Sequence, residues 1–177
     1  RRVEERTIML LSPRLDLFVP TARFPCFRQP VLLNAGDHLL AFAENRNVSS
    51  CAPSISANKI GSLQLRRSAD NGATWTAMQQ VWRGNIDFYT AVHDMRGTTI
   101  LMLQEGASTN VFNSTDFGAS WSAPTPLSVP LPPGVTSIKP AVGHGVQLQP
   151  DLCASPCREA GRLVLPFVCQ NASGCGD

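Results

Sequence analysis

Apolar positions in this chain fall in short runs separated by Gly, Pro, Asn and Asp, and long helical patterns are absent. The runs are Val31 to Leu33, Leu39 to Ala43, Ser62 to Leu65, Gln80 to Trp82, Thr99 to Leu103, Val111 to Phe112, Val146 to Leu148 and Leu163 to Val168. Each is of strand length, and Val, Leu, Ile and aromatic residues dominate them. Many short strands with turn signals between them predict an all-β sandwich, barrel or propeller.

An internal repeat chooses among these. Ser68-Ala69-Asp70-Asn71-Gly72-Ala73-Thr74-Trp75 is echoed by Ser114-Thr115-Asp116-Phe117-Gly118-Ala119-Ser120-Trp121, 46 residues later. That interval is the length of one four-stranded propeller blade. The pattern is that of a hairpin corner. The Asp carboxylate accepts backbone N–H groups of its own turn, the Gly takes positive φ, and the Trp starts the next strand with its rings beneath the turn. Asp70 and Asp116 therefore read as structural, not catalytic.

Composition narrows the class. Charged residues make up 16% and hydrophobic ones 43%, which is a globular rather than a disordered balance. A net charge of +2 is too small to argue for nucleic acid or a membrane surface. No apolar run approaches the ~20 residues of a membrane span, and Ile8 to Leu11 is too short for a signal-peptide core. The chain opens on Arg1 rather than Met, which reads as a processed chain or a fragment.

The six cysteines, at 26, 51, 153, 157, 169 and 175, lack zinc-ribbon spacing. Cys153-x3-Cys157 has no evident third ligand, so no metal and no cofactor are expected. Disulfides are the better reading, beside three Asn-x-Ser/Thr sequons at Asn47, Asn113 and Asn171. Together they point to the secretory pathway. Six cysteines allow 15 pairings; the close pairs Cys153–Cys157 and Cys169–Cys175 are candidates.

The two corners resemble the Asp-box, or BNR repeat, of sialidases (neuraminidases), with Ser68, Asp70, Gly72 and Trp75 in the first and Ser114, Asp116, Gly118 and Trp121 in the second. Other segments extend the likeness over roughly residues 20 to 170. Phe27-Arg28-Gln29-Pro30 resembles the Phe/Tyr-Arg-Ile-Pro motif that starts sialidase domains, with Gln29 in place of Ile. Leu39-Leu40-Ala41-Phe42-Ala43-Glu44-Asn45-Arg46 resembles the segment that follows it, and Leu65-Arg66-Arg67-Ser68 runs into the first Asp-box as in that family. Gly143-His144-Gly145-Val146-Gln147-Leu148 and Gly161-Arg162-Leu163-Val164-Leu165-Pro166 are similar to later segments of secreted sialidases. The resemblance implies a six-bladed β-propeller. At ~45 residues per blade, residues 20–177 supply about three blades, an incomplete ring, after a lead-in at 1–19.

The resemblance also implies chemistry: exo-α-sialidase activity on sialylated glycoconjugates. Guanidinium groups suit the carboxylate of a sialic acid because they bind it with paired hydrogen bonds. Arg28 matches the first arginine of the family's triad and Arg46 a further pocket arginine; the other two triad members lie later in the family. The family's nucleophile is a Tyr with a nearby Glu as base, because a neutral nucleophile avoids repulsion from the substrate's own carboxylate. The single tyrosine, Tyr89, precedes the second corner and reads as core or rim. The family's acid, an Asp a few residues past Arg46, has no counterpart in Asn47-Val48-Ser49-Ser50-Cys51-Ala52-Pro53. Asp87 falls where the next pocket segment begins and is equally well a turn residue. His38 reads as an exposed turn residue, His93 as a strand end and His144 as part of a close backbone approach. Two functions stay open: a sialidase, or a sialidase-like propeller that binds glycan or protein without turnover. The segment alone is expected to be inactive.

Overall fold

A computed structural model of the chain describes residues 15–46, 51, 61–106, 108–131, 133–149 and 160–171. The regular elements among the described residues are all β-strands. In chain order they are β1 (Cys26–Ala35), β2 (His38–Arg46), β3 (Gly61–Ser68), β4 (Gln79–Gly84), β5 (Ile86–His93), β6 (Thr99–Glu105), β7 (Ser108–Ser114), β8 (Thr125–Pro126), β9 (Val135–Pro140), β10 (Gly143–His144), β11 (Val146–Gln147), β12 (Leu163–Val164) and β13 (Phe167–Asn171).

Strands β1-β2-β3-β4 form one antiparallel up-and-down sheet. Strands β5-β6-β7-β8 repeat it, and β10 adds in parallel along β5. These two sheets are the repeating units that the spacing predicted. The expected third four-stranded sheet does not form among the described residues. Two-stranded ladders, β9 with β13 and β11 with β12, stand in its place, and no sheet closes into a ring. Proline is the cause at one point. Pro166 has no N–H to give a ladder, and its carbonyl accepts Ala141 N–H instead (3.0 Å). The apolar run Leu163 to Val168 is therefore split between β12 and β13.

The core lies between the first two sheets. Alternation along each strand sends Val31, Leu33, Leu40, Phe42, Leu63 and Leu65 of the first sheet toward Ile86, Tyr89, Ala91, Leu101, Leu103 and Phe112 of the second. Burying each large side chain stabilises by about 1.5–3 kcal/mol. Trp82 meets Phe112 edge-on, with ring centroids 5.3 Å apart. Strand β5 had no counterpart among the apolar runs, because Asp87, Thr90 and His93 interrupt its hydrophobic pattern. Burial on both sides nevertheless makes it a central strand, with Tyr89, Thr90, Ala91 and Val92 all fully buried.

The register sorts residues to two ends. Cys26 pairs with Arg46, Arg46 with Gly61 and Gly61 with Gly84, so these four sit at one end of the first sheet. Ile86, Glu105 and Ser108 mark the corresponding end of the second. The two repeated corners, after Ser68 and after Ser114, lie at the opposite end.

The corners share one hydrogen-bond pattern. Ser68 Oγ donates to Asp70 Oδ1 (2.8 Å) and accepts Gly72 N–H (2.8 Å), while Thr74 gives its amide to Asp70 Oδ1 (2.8 Å) and its hydroxyl to Oδ2 (2.6 Å). Ser114, Asp116, Gly118 and Ser120 repeat these bonds at 2.8, 2.8, 2.9 and 2.6 Å. Asn71 and Phe117 both take positive φ, 56° and 54°, each followed by a glycine that does the same. The hydroxyl and amide of Thr74, with the Ser68 hydroxyl, hold the Asp70 carboxyl down at about 2; the Ser120 hydroxyl and amide, with the Ser114 hydroxyl, do the same for Asp116. Contrary to expectation, neither tryptophan starts a strand. Trp75 and Trp121 each precede the next strand by a few residues, and Trp75 closes its corner by donating Nε1–H to Gly72 O (3.0 Å).

Candidate functional site

Strand parity shows how Arg28 comes to face inward. Val31, Leu33 and Ala35 lie on the core face, so an unbroken strand would turn Arg28 to the opposite side. A bulge prevents this. Arg28 pairs with Glu44 and Val31 with Phe42, so Gln29 and Pro30 together oppose Ala43. Gln29 makes the extra step in a left-handed conformation, φ 52°, which costs a residue with a Cβ about 1 kcal/mol. Arg28 thereby shares a sheet face with its cross-strand partner Glu44.

Two residues along β2, at the strand period, Arg46 lies on that face as well. Its Nε–H donates to Glu44 Oε1 at 2.6 Å, and both side chains are buried, 2% exposed for Glu44 and 6% for Arg46. Glu44 Oε2 is buried with no hydrogen-bond partner. Such an arrangement keeps a guanidinium in a poorly hydrated place, where its hydrogen bonds to charged acceptors are stronger than in water.

The second sheet contributes from the neighbouring strand. Ile86 pairs with Glu105 and Tyr89 with Leu103, so β5 carries its own bulge, formed by Asp87 and Phe88. Asp87 is thus a half-buried bulge residue at the same end as the arginines and not a turn residue. Lys139 Nζ stands 4.7 Å from the Phe88 ring. Tyr89, fully buried, donates its hydroxyl to the backbone carbonyl of Gln29. Burial, and then the negative charge of Glu44, push the Tyr89 hydroxyl far above its ordinary range, so it stays a proton donor. Glu105 accepts Asn85 N–H at 3.2 Å, and its Oε1 fills the space that a Cβ at Gly84 would need.

Sequence reasoning quoted Glu44 within a motif but gave it no role, and it passed over Glu105. For Glu44 the signal was present: Glu-x-Arg on a strand puts both side chains on one face. For Glu105 no local signal exists, because its contact depends on a glycine 21 positions earlier.

Cys26, opposite Arg46, is bonded to Cys51, with Cα atoms 5.6 Å apart. This bridge pins the chain beyond Arg46 to the start of β1. Cys169 is also disulfide-bonded; Cys153, Cys157 and Cys175 lie outside the described residues, as do Asn47 and most of the segment where an acid was sought. Asn113 is exposed on β7, and Asn171 is the backbone end of β13. His38 is half-buried in β2 rather than exposed in a turn, its ring stacked on Phe117 at 4.1 Å. His93 ends β5, and its partial burial lowers its pKa against the opposing pull of Asp94. His144 lies on β10, beside β5.

A cavity of about 700 Å³ lies against β1 and β2, lined by Leu17, Phe18, Phe27, Arg28, Leu32 and Ala43 among others. Its walls are chiefly apolar. No helix among the described residues is long and apolar enough to cross a membrane.

Two antiparallel sheets of this topology, packed face to face, resemble part of the fold of solved sialidases. The similarity is to particular solved structures. A Hadza microbial sialidase matches over 84% of this chain at 14% identity with a TM-score of 0.62. Trypanosoma rangeli sialidase in complex with sialic acid matches over 85% at 17% identity and a TM-score of 0.60. The same organism's enzyme with 2,3-difluorosialic acid, a covalent intermediate, matches over 82% at 17% identity and 0.57. The chain spans only 33%, 27% and 26% of those chains. No family model matches it.

Proposed function

We propose that this chain supplies the first blades of a six-bladed sialidase propeller, and that the full-length protein is an exo-α-sialidase acting on terminal sialic acids of glycoconjugates. One observation carries the reading: a bulge and a buried carboxylate bring Arg28 and Arg46 to one face, at the end of the sheets opposite the two corners. Two guanidiniums so placed suit the carboxylate of a sugar acid, with Asp87 nearby as an acceptor for a substrate hydroxyl. The apolar cavity along β1 fits the surface against which the rest of the ring would pack. The sequons and the Cys26–Cys51 bridge support a secreted or lumenal protein.

The test is hydrolysis of a fluorogenic sialoside by the full-length protein, beside its Arg28→Ala variant. The reading expects turnover that falls by at least about a hundredfold in the variant, since a bidentate charged contact is lost. It expects none from the 177-residue chain, in which no residues match the family's later arginines or its nucleophile Tyr and base Glu. Turnover unaffected by Arg28→Ala would defeat it. A second reading, a propeller that binds sialylated glycans without hydrolysis, is favoured by one observation: residues 47–53 contain no Asp or Glu to serve as acid. Retained binding of sialic acid without turnover by the full-length protein would establish that reading instead.

A further inference from the structure

The facing of Arg28 depends on one left-handed residue, and that residue is held from the other sheet. Gln29 occupies φ 52° between Arg28 and Pro30. Pro30 has no N–H, so the bulge has one fewer donor with which to bond to β2. A residue with a Cβ in this conformation persists only where its surroundings over-determine it. Its carbonyl oxygen does find a partner, and that partner is not on β2. The hydroxyl of Tyr89, 60 residues away on β5, donates to it across the interface between the sheets.

Tyr89 is itself fixed. Its ring is fully buried among core residues from both sheets. It stands at the end of the β5 bulge, opposite Leu103, so the bulge of β5 braces that of β1. Burial first, and then the charge of Glu44, raise the hydroxyl's pKa further above neutral, so it remains a donor.

We propose that Tyr89 is a positioning residue: its hydroxyl locks the Gln29 bulge and so keeps Arg28 on the inner face beside Glu44 and Arg46. Ring burial alone would not need the hydroxyl, so Tyr89→Phe separates the two roles. Loss of the bond leaves a part-buried carbonyl without this partner at a strained residue, and the strand can then relax to regular pairing with Arg28 turned outward. The proposal deepens the sialidase reading, since it concerns the same site, but its first test needs no ligand.

That test is hydrogen exchange in the full-length protein. Tyr89→Phe should speed exchange of the amides of Arg28, Gln29 and Val31 about tenfold or more, while the corner at Ser68 to Thr76 stays as protected as before. Unchanged exchange at the bulge would overturn the brace. The second test is binding of free sialic acid. Tyr89→Phe should weaken it about fivefold to tenfold, and should have no further effect in an Arg28→Ala background, because Tyr89 acts through Arg28. Equal weakening in both backgrounds, or unchanged affinity in spite of a loosened bulge, would refute the positioning role. Loosening of the bulge in a protein that binds no sialic acid at all would instead refute the sialidase reading and leave the brace standing. Should Tyr89→Phe fail to fold, Gln29→Gly provides the check: glycine takes φ 52° without strain, so Gln29→Gly with Tyr89→Phe should recover folding and part of the exchange protection. A double variant that recovers neither would overturn the proposal.

Discussion

The Glu44–Arg46 pair offers the sharpest test of the site as built. Glu44→Ala removes the carboxylate that holds Arg46 Nε at 2.6 Å and leaves a guanidinium only 6% exposed without that partner. Breaking a buried pair from one side costs about 3–5 kcal/mol, because the remaining charge keeps its desolvation penalty. That is a large part of the ~5–15 kcal/mol that stabilises an ordinary domain. Glu44→Gln keeps the shape and a neutral acceptor oxygen, so it should cost less, about 1–2 kcal/mol. Glu44→Ala with Arg46→Ala removes both charges and should cost clearly less than the sum of the single changes. Urea unfolding under non-reducing conditions, followed by tryptophan fluorescence, reads these variants beside Arg46→Ala and the parent protein. With a slope of about 1–3 kcal/mol per M, Glu44→Ala should lower the midpoint by at least about 1 M. A cost under about 1 kcal/mol for Glu44→Ala, or additivity of the double variant within ~0.5 kcal/mol, would refute the view that these groups form one buried unit.

Three further outcomes follow from separate parts of the structure. Replacing Cys26 and Cys51 by serine frees a loop of 25 residues and should cost about 3.5 kcal/mol on the chain-entropy relation, read as a lowered urea midpoint. Gly118→Ala and Gly97→Ala both place a Cβ at positive φ, 79° and 86°, but only at Gly118 does it meet another atom, 2.8 Å from Leu65 Cδ2; Gly118→Ala should therefore destabilise more, and equal melting shifts would contradict the geometry. Asp70 and Asp116 are held at about 2, below the unfolded value of ~3.9, so the unfolded chain binds more protons between those values. Their stabilisation is complete above about pH 4 and fades as pH falls through about 2; Asp70→Asn with Asp116→Asn should flatten that part of the stability profile, and an unchanged profile would show that the corners do not carry it.

Much of the scaffold was legible because its signals are local. Ser-x-Asp-x-Gly-x-Thr/Ser-Trp describes a turn whose bonds close within a few residues, and its recurrence after 46 positions located two sheets of like construction. Strand β5 was missed because its polar positions belong to a bulge and to a strand buried on both faces, where alternation carries no information. The site was half legible. Arg28 and Arg46 were candidates from their motifs, and the shared face of Glu44 and Arg46 was readable from their spacing. Tyr89 read as core or rim because what distinguishes it is one hydroxyl and the carbonyl it meets 60 residues away.

By itself the sequence determined the strand-rich class, the two aspartate corners and the interval between them, since each depends on propensity, turn chemistry or period over a few positions. Only the tertiary structure decided which way Arg28 faces. Parity along β1 points it outward; a single left-handed residue reverses that, and the group that satisfies its carbonyl arrives from another sheet. Side-chain direction in a strand is local until a bulge intervenes, and this bulge is sustained by packing that no short stretch of sequence contains.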